Sequence, residues 1–269
     1  MICAVFLLFA AVPRARAASG GAVELPVIMY HHLHKSASRW GDFIVSPEVF
    51  EGDLRYLRER GYHAVSLREL DAYLTGAGGL PEKPILITFD DGQESFLEYA
   101  VPLLETYGMC AVLAVVGAYA DRDTGTEHNV AYSYLSWDQL AELARNPRVE
   151  LQNHSYDMHD FSPRHGSRIN RGETRTHYAD AFGGDASKND RLLVERAGVV
   201  PLGYACPFGY YTEDTREVLR DIGYRFVFTC ENRVNRLERG AEGTVRLDRF
   251  NRSARVDRGA FFAKIMPKP

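Results

Sequence analysis

The stretch ILITFDDG, from Ile85 to Gly92, carries an apolar, β-prone run straight into two adjacent carboxylates and a glycine. A continuous apolar run of this length, closed by a turn signal, reads as a strand buried on both faces, as in a parallel sheet. Asp90 and Asp91 then stand at its carboxyl end, where burial gives way to a turn. Gly92 lets the backbone reverse there without a Cβ clash.

The pattern repeats on either side. LPVIMY (Leu25 to Tyr30) is an apolar strand ending at His31 and His32. Ser46 with Pro47 is an N-cap followed by proline at the first helical position, and Phe50, Leu54 and Leu57 keep helical spacing up to Gly61. Next come a helix from about Ser95 to Tyr107, the strand CAVLAVV, and a helix opened by the capping box of Ser136 and Gln139. VELQ runs into Asn153 and His154. A polar loop from Ser162 to about Glu173 and two helical segments up to Gly198 lead to PLGYACPFG, a helix from Thr212 to Ile222, YRFVFTC and GTVRLDRF. Strands alternating with helices predict parallel βα units in one α/β domain. In a parallel barrel all strand carboxyl ends share one face, where catalytic groups collect, so His31, Asp90, Asp91 and His154 are expected in one place.

Composition narrows the function. With 269 residues and 45% hydrophobic content the chain can bury a large core. An apolar run from Ile2 to Val12 followed by Ala15, Arg16 and Ala17 reads as a secretory signal (residues 1–17), too short to span a bilayer. The chain is then exported, to the periplasm or the cell surface. Without Arg14 and Arg16, 30 basic residues face 36 acidic ones, about −6, which is not a nucleic-acid binder's balance. Outside the signal, Cys110, Cys206 and Cys230 are an odd number without close spacing, expected as buried thiols, with a Cys206–Cys230 pair as the alternative.

Two adjacent carboxylates repel unless a cation neutralises them, and a divalent metal is the simplest one. NHSYDMHD supplies His154 and His159, whose spacing of five puts them about 140° apart on a helix, so only an irregular turn brings them together. Two imidazoles and a carboxylate with open positions form a common catalytic zinc or iron arrangement. Taken singly, Asp-Asp-Gly reads as a surface turn and His-x4-His as ordinary surface histidines; joined at successive strand ends they point to a site.

TFDDG (Thr88 to Gly92), HSYDMH (His154 to His159) and YACPFG (Tyr204 to Gly209), in that order, resemble the polysaccharide deacetylases, the NodB-homology or family 4 carbohydrate esterases. The resemblance implies a deformed (β/α) barrel over residues 25–255. It also implies hydrolysis of N-acetyl or O-acetyl groups on an acetylated polysaccharide, with a divalent metal, zinc first. It makes Asp90 the general base, Asp91, His154 and His159 the metal ligands, and the N–H of Phe208, after Pro207, the oxyanion donor. Two departures stand out: the usual histidine spacing is four, and Ala205 stands where an arginine is usual. Both are similar to the subgroup acting on poly-β-1,6-N-acetylglucosamine, in which a histidine after the first strand is the acid. That makes His31 the expected acid, with His32 its rival, since consecutive strand residues face opposite ways. Arg249, in LDRF, is the candidate to steady Asp90 in place of the missing arginine. His165 and His177, in and just after the long loop, are expected in solvent. Tyr30, Trp40 and Tyr210 are candidates for sugar stacking, and Trp137 for packing. Peptidoglycan- or chitin-type deacetylation and acetyl xylan esterase activity remain alternatives, as does a silent glycan-binding barrel. A two-metal phosphoesterase lacks enough ligands. The expected partners are the polysaccharide and polysaccharide export machinery, with the chain itself a monomer.

Overall fold

The computed structural model describes residues 22–266. The leader expected over residues 1–17 lies outside them. Eight short strands build the frame: β1 (Val27–Tyr30), β2 (Pro84–Phe89), β3 (Ala111–Val115), β4 (Val149–Asn153), β5 (Gly203–Ala205), β6 (Phe226–Thr229), β7 (Val245–Asp248) and β8 (Phe250–Asn251). They pair in the order β7-β6-β5-β4-β3-β2-β1-β8, every pairing parallel. β7 and β8 lie at the two ends of that order yet are separated in the chain by Arg249 alone. The last segment therefore runs along the seam, bonding first to β6 and then to β1, and nearly closes a barrel.

Alternation along the strands divides the core into two layers. Ile28, Tyr30, Ile85, Ile87, Phe89, Leu113 and Val115 pack with the helices. Val27, Leu86, Val112, Ala114, Ala205, Phe226, Phe228 and Leu247 pack on one another in a second cluster. Both layers are needed because a parallel sheet is covered on both faces.

The helices are α1 (Pro47–Glu59), α2 (Leu67–Leu74), α3 (Val101–Tyr107), α4 (Gly117–Asp123), α5 (Trp137–Leu143), α6 (Arg175–Ala197), α7 (Glu213–Ile222) and α8 (Arg258–Ile265). Ser46, Ser136 and Thr212 cap α1, α5 and α7 with their side chains. The helix expected from Ser95 opens with a π-helical turn, Phe96–Ala100, ahead of Pro102, which has no N–H to donate. The two helical segments expected before Gly198 are one helix, α6, of 23 residues. Its Gly183 is not a break but a close approach: a Cβ there would lie 3.3 Å from Val218 Cγ1 of α7. α8 buries Phe261, Phe262 and Ile265, so the folded unit continues past residue 255. Among the described residues, no helix is long and apolar enough to cross a membrane, and Cys110, Cys206 and Cys230 are free.

Candidate active site

The carboxyl ends of β1, β2, β4 and β5 open into one cavity of about 620 Å³, lined by His31, Asp90, Asp91, His154, His159 and Phe208 among others. At the end of β2 the Asp90 N–H donates to Tyr30 O (3.0 Å), which holds β2 to β1 up to the first carboxylate. Asp91 (φ 71°) and Gly92 (φ 79°) are both left-handed, and the Gly92 N–H donates to Asp90 O at 3.0 Å. Aspartate tolerates that region better than most side chains. The turn brings both acids to the same cavity.

Asp90 is 2% exposed and Arg249 1% exposed. The guanidinium donates to both carboxylate oxygens, Nη1 to Oδ1 at 2.7 Å and Nη2 to Oδ2 at 2.8 Å. Nε donates to Thr229 O (3.1 Å) and Nη1 also reaches Thr88 Oγ1 (3.3 Å). Burial pushes the Asp90 carboxyl up, but Arg249, with His154 and His31, more than offsets this and holds it below the usual carboxylate range. The fork-to-fork geometry fixes orientation as well as charge.

His154 is buried and its Nδ1 donates to Ala205 O at 2.8 Å, which in the neutral imidazole leaves the Nε2 lone pair toward the cavity. That Nε2 is 3.5 Å from Asp91 Oδ1 and 3.8 Å from Asp90 Oδ2. His159 Nε2 is 3.3 Å from the same Asp91 oxygen. Asp91 Oδ1 is buried and accepts no hydrogen bond. One oxygen and two nitrogens, all within 4.8 Å, form a set able to hold a metal ion. Tetrahedral bonds of 2.0–2.2 Å place ligand atoms roughly 3.3 Å apart, so the donor types and spacing fit such an ion.

His31 and His32 diverge as strand alternation requires. His31 lines the cavity with its ring edge-on to Phe43, centroids 4.9 Å apart, and burial pulls its pKa down against the pull of Asp91 and Asp90. His32 turns away: its Nδ1 meets Ser95 Oγ at 3.0 Å, its ring lies against His34, and burial lowers its pKa to about 4.

After β5, Pro207–Gly209 forms a tight turn in which Phe208 takes φ 57°. Its ring lies against His159 (4.7 Å), Phe161 (4.6 Å) and His165 (5.1 Å). A Cβ on Gly166 would come within 2.9 Å of Pro207 O, so the long loop is pressed onto this turn. His165, expected in solvent, belongs to that stack. His177 is exposed and pairs with Glu173 at 2.7 Å. Tyr30 is buried with its hydroxyl on Asp53 (3.1 Å), which removes it as a sugar platform, while Trp137 is buried with Nε1 on Asp121 (2.8 Å). The sequence reading passed over Phe43 and Phe161, 58% and 68% exposed, which line the cavity, and over the Ala205 carbonyl that orients His154. Isolated loop aromatics and a main-chain acceptor carry no sequence signal of their own.

Comparison with known proteins decides the family. A family model described as polysaccharide deacetylase matches residues 77–227, more than half the chain. The chain belongs to the polysaccharide deacetylase family. It is 28% identical over 227 residues to a poly-beta-1,6-N-acetyl-D-glucosamine N-deacetylase of Escherichia coli K12, covering 76% of this chain and 34% of that protein. It therefore spans about a third of the length of that relative. A Staphylococcus aureus protein of the same name is 23% identical over 203 residues, covering 76% of this chain and 67% of that one. Among solved structures, IcaB from Ammonifex degensii superposes with a TM-score of 0.70 at 27% identity, covering 88% of this chain and 93% of that one. The nearly closed parallel barrel of this family member is thus the NodB-type fold.

Proposed function

We propose that this family member is an exported, metal-dependent N-deacetylase of N-acetylglucosamine polymers, with poly-β-1,6-N-acetylglucosamine as the favoured substrate. The observation that carries the reading is the pairing, in one cavity, of a buried Asp90 held ionised by Arg249 with an oxygen-and-two-imidazole set at Asp91, His154 and His159. The names of the relatives and of the structural neighbour support the substrate class. Export rests on the apolar leader and its Ala15-Arg16-Ala17 pattern.

Asp91, His154 and His159 would hold the ion, zinc first. A divalent cation there would supply Lewis acidity toward the acetyl carbonyl and toward water. Asp90 accepts the proton of the attacking water as that water adds to the carbonyl carbon. Arg249 keeps the carboxylate ionised and aimed. The N–H of Phe208, on the turn that lines the cavity, would donate to the oxygen that gains charge, a contribution on the order of 3 kcal/mol. His31, which lines the same cavity, gives its proton to the amide nitrogen as the C–N bond breaks, releasing acetate and a free amine. Asp90 as base and His31 as acid divide the proton work between two groups.

Acetate release over a panel of defined acetylated glycans, with and without added divalent metal, tests this. Metal-dependent release from N-acetylglucosamine oligomers is expected. Release only from O-acetylated xylan would make it an esterase. Binding of the oligomer by metal-loaded protein without release of acetate would make it a glycan-binding barrel.

A further inference from the structure

The five-residue spacing of His154 and His159 needs an irregular turn, and the hydrogen bonds of that turn show what shapes it. Its four N–H groups are all taken by side chains. Ser155 donates to Asn153 Oδ1 (2.7 Å), Tyr156 to Asp185 Oδ1 (2.8 Å), Asp157 to Asp185 Oδ2 (2.8 Å), and Met158 to Ser155 Oγ (3.2 Å). On the acceptor side, Ser155 O receives the Gly117 N–H (3.1 Å) and Asn189 Nδ2 (2.9 Å), and Tyr156 O receives the Ala118 N–H (2.8 Å). The turn is thus gripped between the start of α4, which supplies two N–H donors, and α6, which supplies the Asp185 carboxylate as acceptor and the Asn189 amide as donor. Asp185 and Asn189 are i and i+4 on α6, so one helix face makes the grip. Ser155 is held at φ 77°, where an L-residue rests only if its surroundings insist.

We propose that Asp185 is a positioning residue for the metal centre: its carboxylate, by holding the successive N–H groups of Tyr156 and Asp157, sets the turn that delivers both imidazoles to Asp91. The inference rests on the reading of Asp91, His154 and His159 as ligands. Asp185 does not line the cavity, so it reaches the ion only through the turn. It is half-buried on the helix surface, so its truncation opens no core cavity, unlike the fully buried Asn189. Its two oxygens match the two N–H groups one to one. An amide at the same position keeps one acceptor and presents a donor to the other N–H. Residues that orient metal ligands typically change affinity by about 10–100-fold when lost.

The test is zinc affinity by chelator competition on the purified full chain. Asp185→Ala should bind zinc about 10–100-fold more weakly, and Asp185→Asn should lose affinity to a smaller degree. Saturating zinc should return acetate release by both variants toward the wild-type rate, which a merely unfolded fraction would not do. Asp71→Ala, which removes a remote ion pair to Arg225 (2.7 Å), controls for general destabilisation and should leave zinc affinity unchanged. Wild-type zinc affinity in Asp185→Ala overturns the proposal, as does an equal loss in Asp71→Ala. If Asp185→Ala does not fold, Asp185→Asn carries the test, and wild-type affinity there overturns it. His159→Ala separates the two layers of the argument: undiminished zinc binding in that variant refutes the ligand assignment itself rather than the grip on the turn.

Discussion

Replacing Arg249 by methionine leaves the Asp90 carboxylate buried with its two guanidinium hydrogen bonds gone. Breaking a buried ion pair from one side costs about 3–5 kcal/mol, against a total stability of about 5–15 kcal/mol for a domain. For a chain of this size that is a fall of roughly 6–20 °C in melting temperature. Asp90→Asn strands the opposite charge and should cost a similar amount. The double variant removes both charges and should recover most of the loss, giving a coupling energy of at least about 2 kcal/mol in the double-mutant cycle. Urea unfolding of the metal-free chain measures all four corners. A second readout follows from the sign of the pKa effect. Arg249 holds the Asp90 carboxyl below its ordinary range, so its loss lets burial push the pKa upward and moves the acidic limb of the rate profile to higher pH. Costs that add within about 0.5 kcal/mol, together with an unmoved acidic limb, would refute the idea that Arg249 acts through Asp90.

Asp90→Asn should keep metal and lose turnover, whereas Asp91→Ala, His154→Ala and His159→Ala should lose metal; metal loss in Asp90→Asn would overturn the division of roles. His31→Ala should lower the rate by about 10²–10⁴-fold and His32→Ala far less, with equal effects rejecting His31 as the acid. Arg164 and the Asn170 N–H hold the Glu173 carboxyl at about 2. That contribution to the stability of the long loop is present above the ordinary carboxylate range and is lost as pH falls from about 4.5 toward 2. Amide exchange in the loop should speed over that window in the wild type and not in Glu173→Gln. Ala205→Arg alone should destabilise, by adding a second cation beside Arg249, but should restore part of the activity lost in Arg249→Ala; no restoration would count against a shared role for the two positions.

What the sequence displayed and what it hid follow from how each group is held. Asp90, Asp91 and His154 sit at the ends of apolar strands, so the run that buries the strand also points to them. Arg249 was visible as the cation in LDRF and as the candidate partner of Asp90. What could not be read was that it sits on the barrel seam, because β7 and β8 look like one strand until their partners are known. Asp185, Phe43 and Phe161 were hidden for a different reason. A half-buried carboxylate on a helix and single aromatics in loops have the composition of ordinary surface, and only tertiary contact distinguishes them.

The seam also bears on why an alanine at position 205 is compatible with the role proposed for Asp90. Ala205 belongs to the same core cluster as Phe228, and the Arg249 guanidinium lies 5.4 Å from the Phe228 ring, so a cation on β5 or on the seam would enter the same layer of the barrel. There is one buried carboxylate for it to neutralise at Asp90, and Asp91 is turned toward His154 and His159. Two guanidinium groups in that layer would leave one without a partner, at the cost of several kcal/mol that an unpaired buried charge carries. One cation is therefore the arrangement that electrostatics allows. Placing it on the segment that closes the barrel couples closure to the ionised Asp90 carboxylate, because the residue that steps the chain from β6 to β1 is the one whose side chain pairs with it.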